Sequence, residues 1–159
     1  MAKDKDKTNV MRVLDSKKIP YNSYSYTPDS TLSGEDIARL LNEDVNRVFK
    51  TLVTQAKAGG YYVFVIPVSA ELNLKKAASA VNEKAVSMIK QKELLPLTGY
   101  VHGGCSPVGM KKQFPTVIHE TAKSFDKIFV SAGRVGNQVE LSPQELSGLV
   151  NADFADVVD

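Results

Sequence analysis

The chain has 159 residues, 43% of them hydrophobic and 24% charged, with a formal net charge of +2. This length suits one domain burying roughly 68–70% of the surface its unfolded chain exposes, and the composition excludes a disordered tail. The charge is too small to identify a nucleic-acid binder by bulk electrostatics, so any RNA contact must be local.

In chain order, Val10, Met11, Val13 and Leu14 recur at helical spacing between Thr8 and Lys18, and Ile19-Pro20 closes this first helix. YNSYSY alternates like a strand. The turn-rich TPDSTLSG then introduces a second helix, EDIARLLN, with Ser33 and Asp36 as a capping pair. RVFKTLVTQAKAGGYYVFVIPV holds two β-rich runs around Gly59-Gly60 and predicts an antiparallel hairpin. A helix capped by Asn73 follows, then a short strand in AVSMI and a helical turn in KQKELLPLTG that stops near Pro96. TVIHE, KIFVSA and QVEL are further strand candidates. In SPQELSGLV, Ser142 at the cap, Pro143 at the first position and Glu145 at the third start a last helix. Short spacings and glycine turns favour hairpins over parallel crossovers, which gives an α+β fold. With no repeat, low-complexity tract or linker, residues 1–159 are expected to form one domain, the first few residues being flexible.

No apolar run approaches the ~20 residues of a membrane helix, and MAKDKDKTNV lacks the apolar centre of a secretory signal, so a cytoplasmic protein with no membrane partner is expected. One cysteine and two histidines rule out an internal disulfide framework and leave few ligands for a metal; no metal site is expected.

Lys50 interrupts the apolar run VFKTLV. In a strand, Val48, Lys50 and Leu52 share one side and Phe49, Thr51 and Val53 the other. The ammonium either reaches water over its packed stem or lies at a pocket floor, ready for a carboxylate, carbonyl oxygen or phosphate. The loop GYVHGGCSPVGMKKQFP brings Gly103 and Gly104 together, with Pro107 stiffening its exit. It is either a tight turn or a set of amides directed at an oxyanion, and it matches no phosphate or dinucleotide motif. Cys105 sits three residues after His102, but proximity alone makes no nucleophile pair, and a small, partly buried residue is the alternative. In KIFVSAGRVGNQVEL, Ser131 stands where a strand opens into a turn, its hydroxyl meeting either a ligand or the local backbone. Lys111 and Lys112 are candidate phosphate contacts or simple solvated lysines.

VFKTLV, IPVSAELNLKKAA, TGYVHGGCSPVGMKKQFPTVI and IFVSAGRVGNQVEL, in this order, resemble the YbaK/EbsC family of aminoacyl-tRNA deacylases, related to the editing domain of prolyl-tRNA synthetases. The resemblance runs from about Ile19 to Val158 and is strongest to the Cys-tRNA(Pro) deacylase branch. It implies a single compact domain with a curved, barrel-like mixed sheet flanked by helices. It further implies trans-editing of mischarged Cys-tRNA(Pro) without a cofactor or DNA, and prolyl-tRNA synthetase as a partner. Carried over by position, Lys50 is the essential lysine, Gly103 the backbone group near the scissile carbonyl and Ser131 a pocket serine. Tyr26, Ser33, Gly104 and Pro107 fall to the substrate pocket, and Lys111 and Lys112 to weak tRNA contacts. Ser33 departs from the family's phenylalanine and stands in a loop two residues shorter.

The family's proposed mechanism has the substrate cysteine's thiol attack its own ester, giving a cyclic thiolactone and free tRNA. Such an intramolecular attack can reach an effective molarity on the order of 10⁵ M, so positioning can replace a protein nucleophile. Two alternatives stand beside this reading: a deacylase of the same fold acting on Ala- or Ser-tRNA by water attack, and a non-catalytic module that binds tRNA ends or the synthetase.

Overall fold

The computed structural model describes residues 7–29 and 31–159; the opening residues expected to be flexible lie outside the described residues. In chain order the elements are α1 (Asn9–Ser16), β1 (Tyr21–Ser25), α2 (Gly34–Leu40), β2 (Phe49–Ala56), β3 (Tyr61–Pro67), α3 (Leu74–Ala80), β4 (Val86–Met88), α4 (Gln91–Thr98), β5 (Thr116–His119), β6 (Ile128–Ser131), β7 (Asn137–Leu141), α5 (Pro143–Val150) and β8 (Asp153–Ala155). Short 3-10 turns at Val45–Arg47 and Glu120–Ser124 precede β2 and β6.

Helix starts follow local chemistry. The side chains of Thr8, Asn73 and Ser142 accept from the backbone N–H groups of Met11, Lys76 and Glu145. Ser33 and Asp36 close a full capping box at α2. Each cap satisfies an amide that has no partner within its helix and contributes ~1 kcal/mol. The helical segment expected to stop near Pro96 is α4, which ends two residues past the proline. The helix carries it in its last turn and is capped by Gly99, whose left-handed backbone (φ 85°) lets its amide reach Leu95 O. A proline this close to the end removes one bond of a helix that is about to stop.

The β2–β3 and β6–β7 hairpins form as expected, with Lys50 opposite Ile66 and Ser131 opposite Gln138. Hairpins do not account for the whole topology, because β3–β5 and β5–β8 are parallel. Nor is there one barrel-like sheet. Two open sheets form, β1-β7-β6 and β4-β2-β3-β5-β8, touching through the Val48–Phe129 bridge. The α+β class and the mixed sheet hold; the closed curvature does not.

The five-stranded sheet is covered on both faces, which explains the unbroken apolar run of β3. Val63 and Val65 face a core with Phe49, Val53, Ile118 and Leu146, while Phe64 and Ile66 face α3 through Ala77 and Ala78. Each large side chain so buried contributes roughly 1.5–3 kcal/mol. A smaller cluster of Ala38, Val48, Val68 and Phe129 seats α2 at the junction of the sheets.

The C-terminal residues are held by polar pins. Asn73 N–H donates to Val157 O, Lys76 Nζ bonds Asp156 and Val158 O, and Val157 N–H donates to Nδ1 of the buried His119 at 3.3 Å. Nδ1 can accept only while it carries no proton. Burial pushes the His119 pKa below its usual 6.5, against an upward pull from Asp156. The unfolded chain therefore takes up a proton first, so this stability is full above pH 6.5 and is lost as pH falls below it. The protection factor of the Val157 amide against exchange should fall below pH 6.5 in the parent. His119→Leu should remove that pH dependence and cost about 1–3 kcal/mol in denaturant melts, through an orphaned buried amide.

Candidate active site

Where the two sheets meet, β2, the start of α2, the glycine loop and the β6–β7 hairpin enclose a cleft of about 230 Å³. Its walls are mostly aliphatic, from Leu32, Ile37, Val48, Leu52, Val68 and Val130. Lys50 is the only lysine, arginine, aspartate or glutamate among the described residues lining it.

β2 places this lysine as its alternation predicts. Phe49 and Val53 enter the main core, Val48 packs at the α2 junction and Leu52 packs toward α3, leaving Lys50 half-buried between the last two. No described residue forms an ion pair or hydrogen bond with its ammonium. A cation with no counter-ion in a largely apolar cleft is an anion or oxyanion receptor, because partial desolvation strengthens its field.

The loop from Gly99 to Pro115 supplies the second element. Gly103 lines the cleft in left-handed backbone (φ 86°), and its amide bonds to no described residue. Gly104 plays a different part. Its amide donates to Val101 O, and a Cβ there would lie 2.9 Å from Arg134 Cα and 3.0 Å from Val135 N. This contact seats the glycine loop on the β6–β7 turn. Pro107 is buried behind the loop and outside the cleft walls.

Tyr26, Ser33 and Ser131 join Lys50 and Gly103 in the walls. Ser131 Oγ accepts from Gly133 N–H and keeps its own proton to donate, so it serves the local turn and can also meet a ligand. Ser33 Oγ accepts from Asp36 N–H in the α2 cap and, like Ser131, keeps its proton to donate. Lys111 and Lys112 are exposed and outside the cleft, with Lys112 Nζ 5.9 Å from the Phe114 ring centre. Cys105 borders the cleft, but burial pushes its thiol up to about 12, against an opposing pull from Thr98. At neutral pH it is a thiol and a poor nucleophile.

Sequence reasoning missed Gly34, Thr51, His102, Asn137 and Gln138, which also line the cleft. Gly34 is required by space, since a Cβ would meet Val68 Cγ1 at 2.5 Å. Thr51 Oγ1 and Gln138 Oε1 are buried without a hydrogen-bond partner, as are both carboxyl oxygens of Glu43. All the unpartnered buried side-chain atoms among the described residues thus belong to Thr51, Gln138 and Glu43. Two of these side chains line the cleft and the third packs against Gln138. Buried polar atoms are nearly always hydrogen-bonded, so this grouping at and behind the cleft wall calls for an explanation. No group of three or more metal-ligating side chains occurs among the described residues, and no described helix is long and apolar enough to cross a membrane.

The chain has relatives among known proteins. Residues 28–149 match the aminoacyl-tRNA editing domain. The chain is 46% identical over 160 residues to a protein of Enterococcus faecalis (strain ATCC 700802 / V583), covering 99% of this chain and 98% of that one; the relative bears the provisional name Cys-tRNA(Pro)/Cys-tRNA(Cys) deacylase EbsC. It is 26% identical over 99 residues to a proline–tRNA ligase of Fervidobacterium nodosum, covering 62% of this chain and 17% of the ligase. The crystal structure of hypothetical protein APE2540 superposes with a TM-score of 0.87 at 27% identity, covering 96% of this chain and 100% of that one. The chain belongs to the aminoacyl-tRNA editing domain family, in its YbaK/EbsC group.

Gly104→Ala should push the glycine loop off the β6–β7 turn, because the atoms it meets are backbone. A loss of roughly 1–3 kcal/mol by thermal melting is expected, with shifted amide resonances at Arg134 and Val135.

Proposed function

We propose that this chain, acting as one domain over residues 1–159, is a trans-editing deacylase that clears mischarged Cys-tRNA(Pro). The observation that carries this reading is the meeting, in one cleft, of an unpaired Lys50 and an unbonded Gly103 amide. The near full-length likeness to EbsC supports the choice of substrate.

The ester carbonyl lies between Lys50 and the Gly103 amide. The substrate's own sulfur attacks that carbonyl carbon, negative charge grows on the carbonyl oxygen, and the two donors stabilise it. The new C–S bond closes a thiolactone as the C–O bond to the terminal ribose breaks, and the ribose oxygen leaves with a proton. Tyr26 and Ser131 fill the walls around the aminoacyl group, and Ser33 leaves room beside it. Gly104 and Pro107 act behind the cleft by holding the loop. Cys105, protonated and buried, contributes packing.

The described cleft contains no stripe of basic residues that could read tRNA identity, and Lys111 and Lys112 are its nearest candidates for phosphate contact on the glycine loop. Prolyl-tRNA synthetase is the partner expected to supply tRNA choice. Serine at position 33, in a loop two residues shorter than the resemblance leads one to expect, favours a second reading, in which the altered wall admits alanine or serine and water attacks the ester. A cytoplasmic site of action fits either.

With purified Cys-tRNA(Pro), Lys50→Ala should lower the deacylation rate by roughly 10²–10³-fold, the range for loss of one oxyanion donor, while Cys105→Ser stays near the parent. Ser-tRNA should be cleared slowly, its hydroxyl being the poorer nucleophile. Rapid loss of Ser- or Ala-tRNA would establish water attack instead, and tRNA binding without deacylation by the parent would make the domain a binding module.

A further inference from the structure

Glu43 lies just past α2, its amide donating to Ala38 O at 2.8 Å, and its carboxyl group is turned inward behind the cleft. Gln138 of β7 stands between this carboxyl group and the cleft: it lines the cavity, is 5% exposed, and is close enough to favour the ionised form of Glu43. Their contact falls short of a full hydrogen bond, since Glu43 Oε1, Glu43 Oε2 and Gln138 Oε1 all lack a partner.

Three oxygens cannot satisfy one another without a proton. If the carboxyl is protonated, its O–H donates to Gln138 Oε1 and the amide's NH₂ is left toward the cleft. If it is ionised, the NH₂ turns to the carboxylate and Oε1 faces the cleft. The two ends of an amide have nearly the same shape, so the exchange needs no rearrangement of the wall.

We infer that Glu43 is a positioning residue whose protonation selects which end of the Gln138 amide, donor or acceptor, meets the aminoacyl group. The aminoacyl group carries an α-amino donor, so the ionised state of Glu43 presents the matching acceptor. The link to substrate rests on the deacylase reading; the coupling between Glu43 and Gln138 does not.

The surroundings make Glu43 the group that changes state near neutrality. Burial raises its pKa to about 7, with Gln138 pulling down, Glu140 pushing up and Arg47 pulling down. Glu140 of β7 is itself buried, but bonds from Asn22, Tyr24 and Arg47 hold its carboxyl below the usual range, so it stays ionised. Tyr24 of β1, which also faces Glu43, is raised above 10 by its bond to Glu140 and stays neutral. Arg47, on the 3-10 turn before β2, pairs with Glu140 at 2.7 Å.

The decisive measurement is the side-chain amide resonance of Gln138 by ¹⁵N NMR of the free protein between pH 5.5 and 8.5. The parent should show a transition centred near pH 7. Glu43→Gln, which keeps the shape but cannot titrate, should abolish it, while His102 of the cleft is present in both proteins. A Gln138 resonance that does not move, or moves equally in both proteins, would overturn the coupling.

A kinetic arm compares the same two proteins on Cys-tRNA(Pro). The substrate's α-amino group titrates near 7.7–8.0 for each of them and cancels in the ratio. From pH 6 to pH 8 the KM of the parent relative to Glu43→Gln should fall by up to roughly tenfold, the worth of one hydrogen bond. A flat ratio beside an intact NMR transition would refute the role toward substrate, whereas an NMR transition in a parent that deacylates nothing would refute the deacylase reading and uphold the coupling.

Discussion

An ammonium held in a cleft with aliphatic walls and no counter-ion is the constraint on which the site depends. The fold tolerates Lys50 there because the stem packs between Val48 and Leu52 while the charge retains partial access to water. A carboxylate placed beside it would satisfy the charge and remove its use. The nearest acidic cluster is instead kept in order on the other side of Gln138, where Arg47 neutralises Glu140 at 2.7 Å and also lies 4.8 Å from the Phe129 ring centre. Segregating the Arg47–Glu140 pair behind the wall leaves Lys50 unpaired in front of it.

The second donor depends on a backbone contact. Gly103 lines the cleft, and the next residue, having no Cβ, lets the loop rest directly on Arg134 and Val135. The adjacent glycines therefore have separate tasks, a left-handed turn at one and close approach at the other. Ser131 belongs to the same hairpin, so the pocket serine and the loop amide are located by one backbone-to-backbone seat.

Much of this was legible in the sequence where the governing physics is local. Caps at Ser33, Asn73 and Ser142, the Gly59-Gly60 hairpin and the alternation around Lys50 all follow from neighbours within a few residues. The parallel pairings of β3 with β5 and β5 with β8 do not, because nothing near a strand records which distant edge it will join. Pro96 marks the end of α4 only approximately for a related reason: its cost depends on how soon the helix ends, and Gly99 settles that three residues later. At the site, Lys50, Gly103 and Ser131 were legible as odd residues in apolar or glycine-rich settings. Gln138 carried a faint signal, since Gln138 and Glu140 alternate with Val139 and Leu141 to give β7 one polar face. Thr51 and Glu43 carried none, because an orphaned oxygen is a property of the assembled wall.

The chemistry accounts for what the cleft lacks. A protein nucleophile would need an activating base within hydrogen-bond reach, and the one thiol available is held protonated by burial. When the attacking atom arrives with the substrate, a resident nucleophile is unnecessary, and an exposed thiolate there would compete for the same ester. The remaining requirement is discrimination, and in an apolar cleft a small side chain is poorly distinguished by size alone, at about 1–3 kcal/mol per methylene. Polar groups buried without partners discriminate more strongly, because a ligand that fails to satisfy them leaves their desolvation cost standing. Thr51 and Gln138, whose side chains line the cleft, each carry such an oxygen.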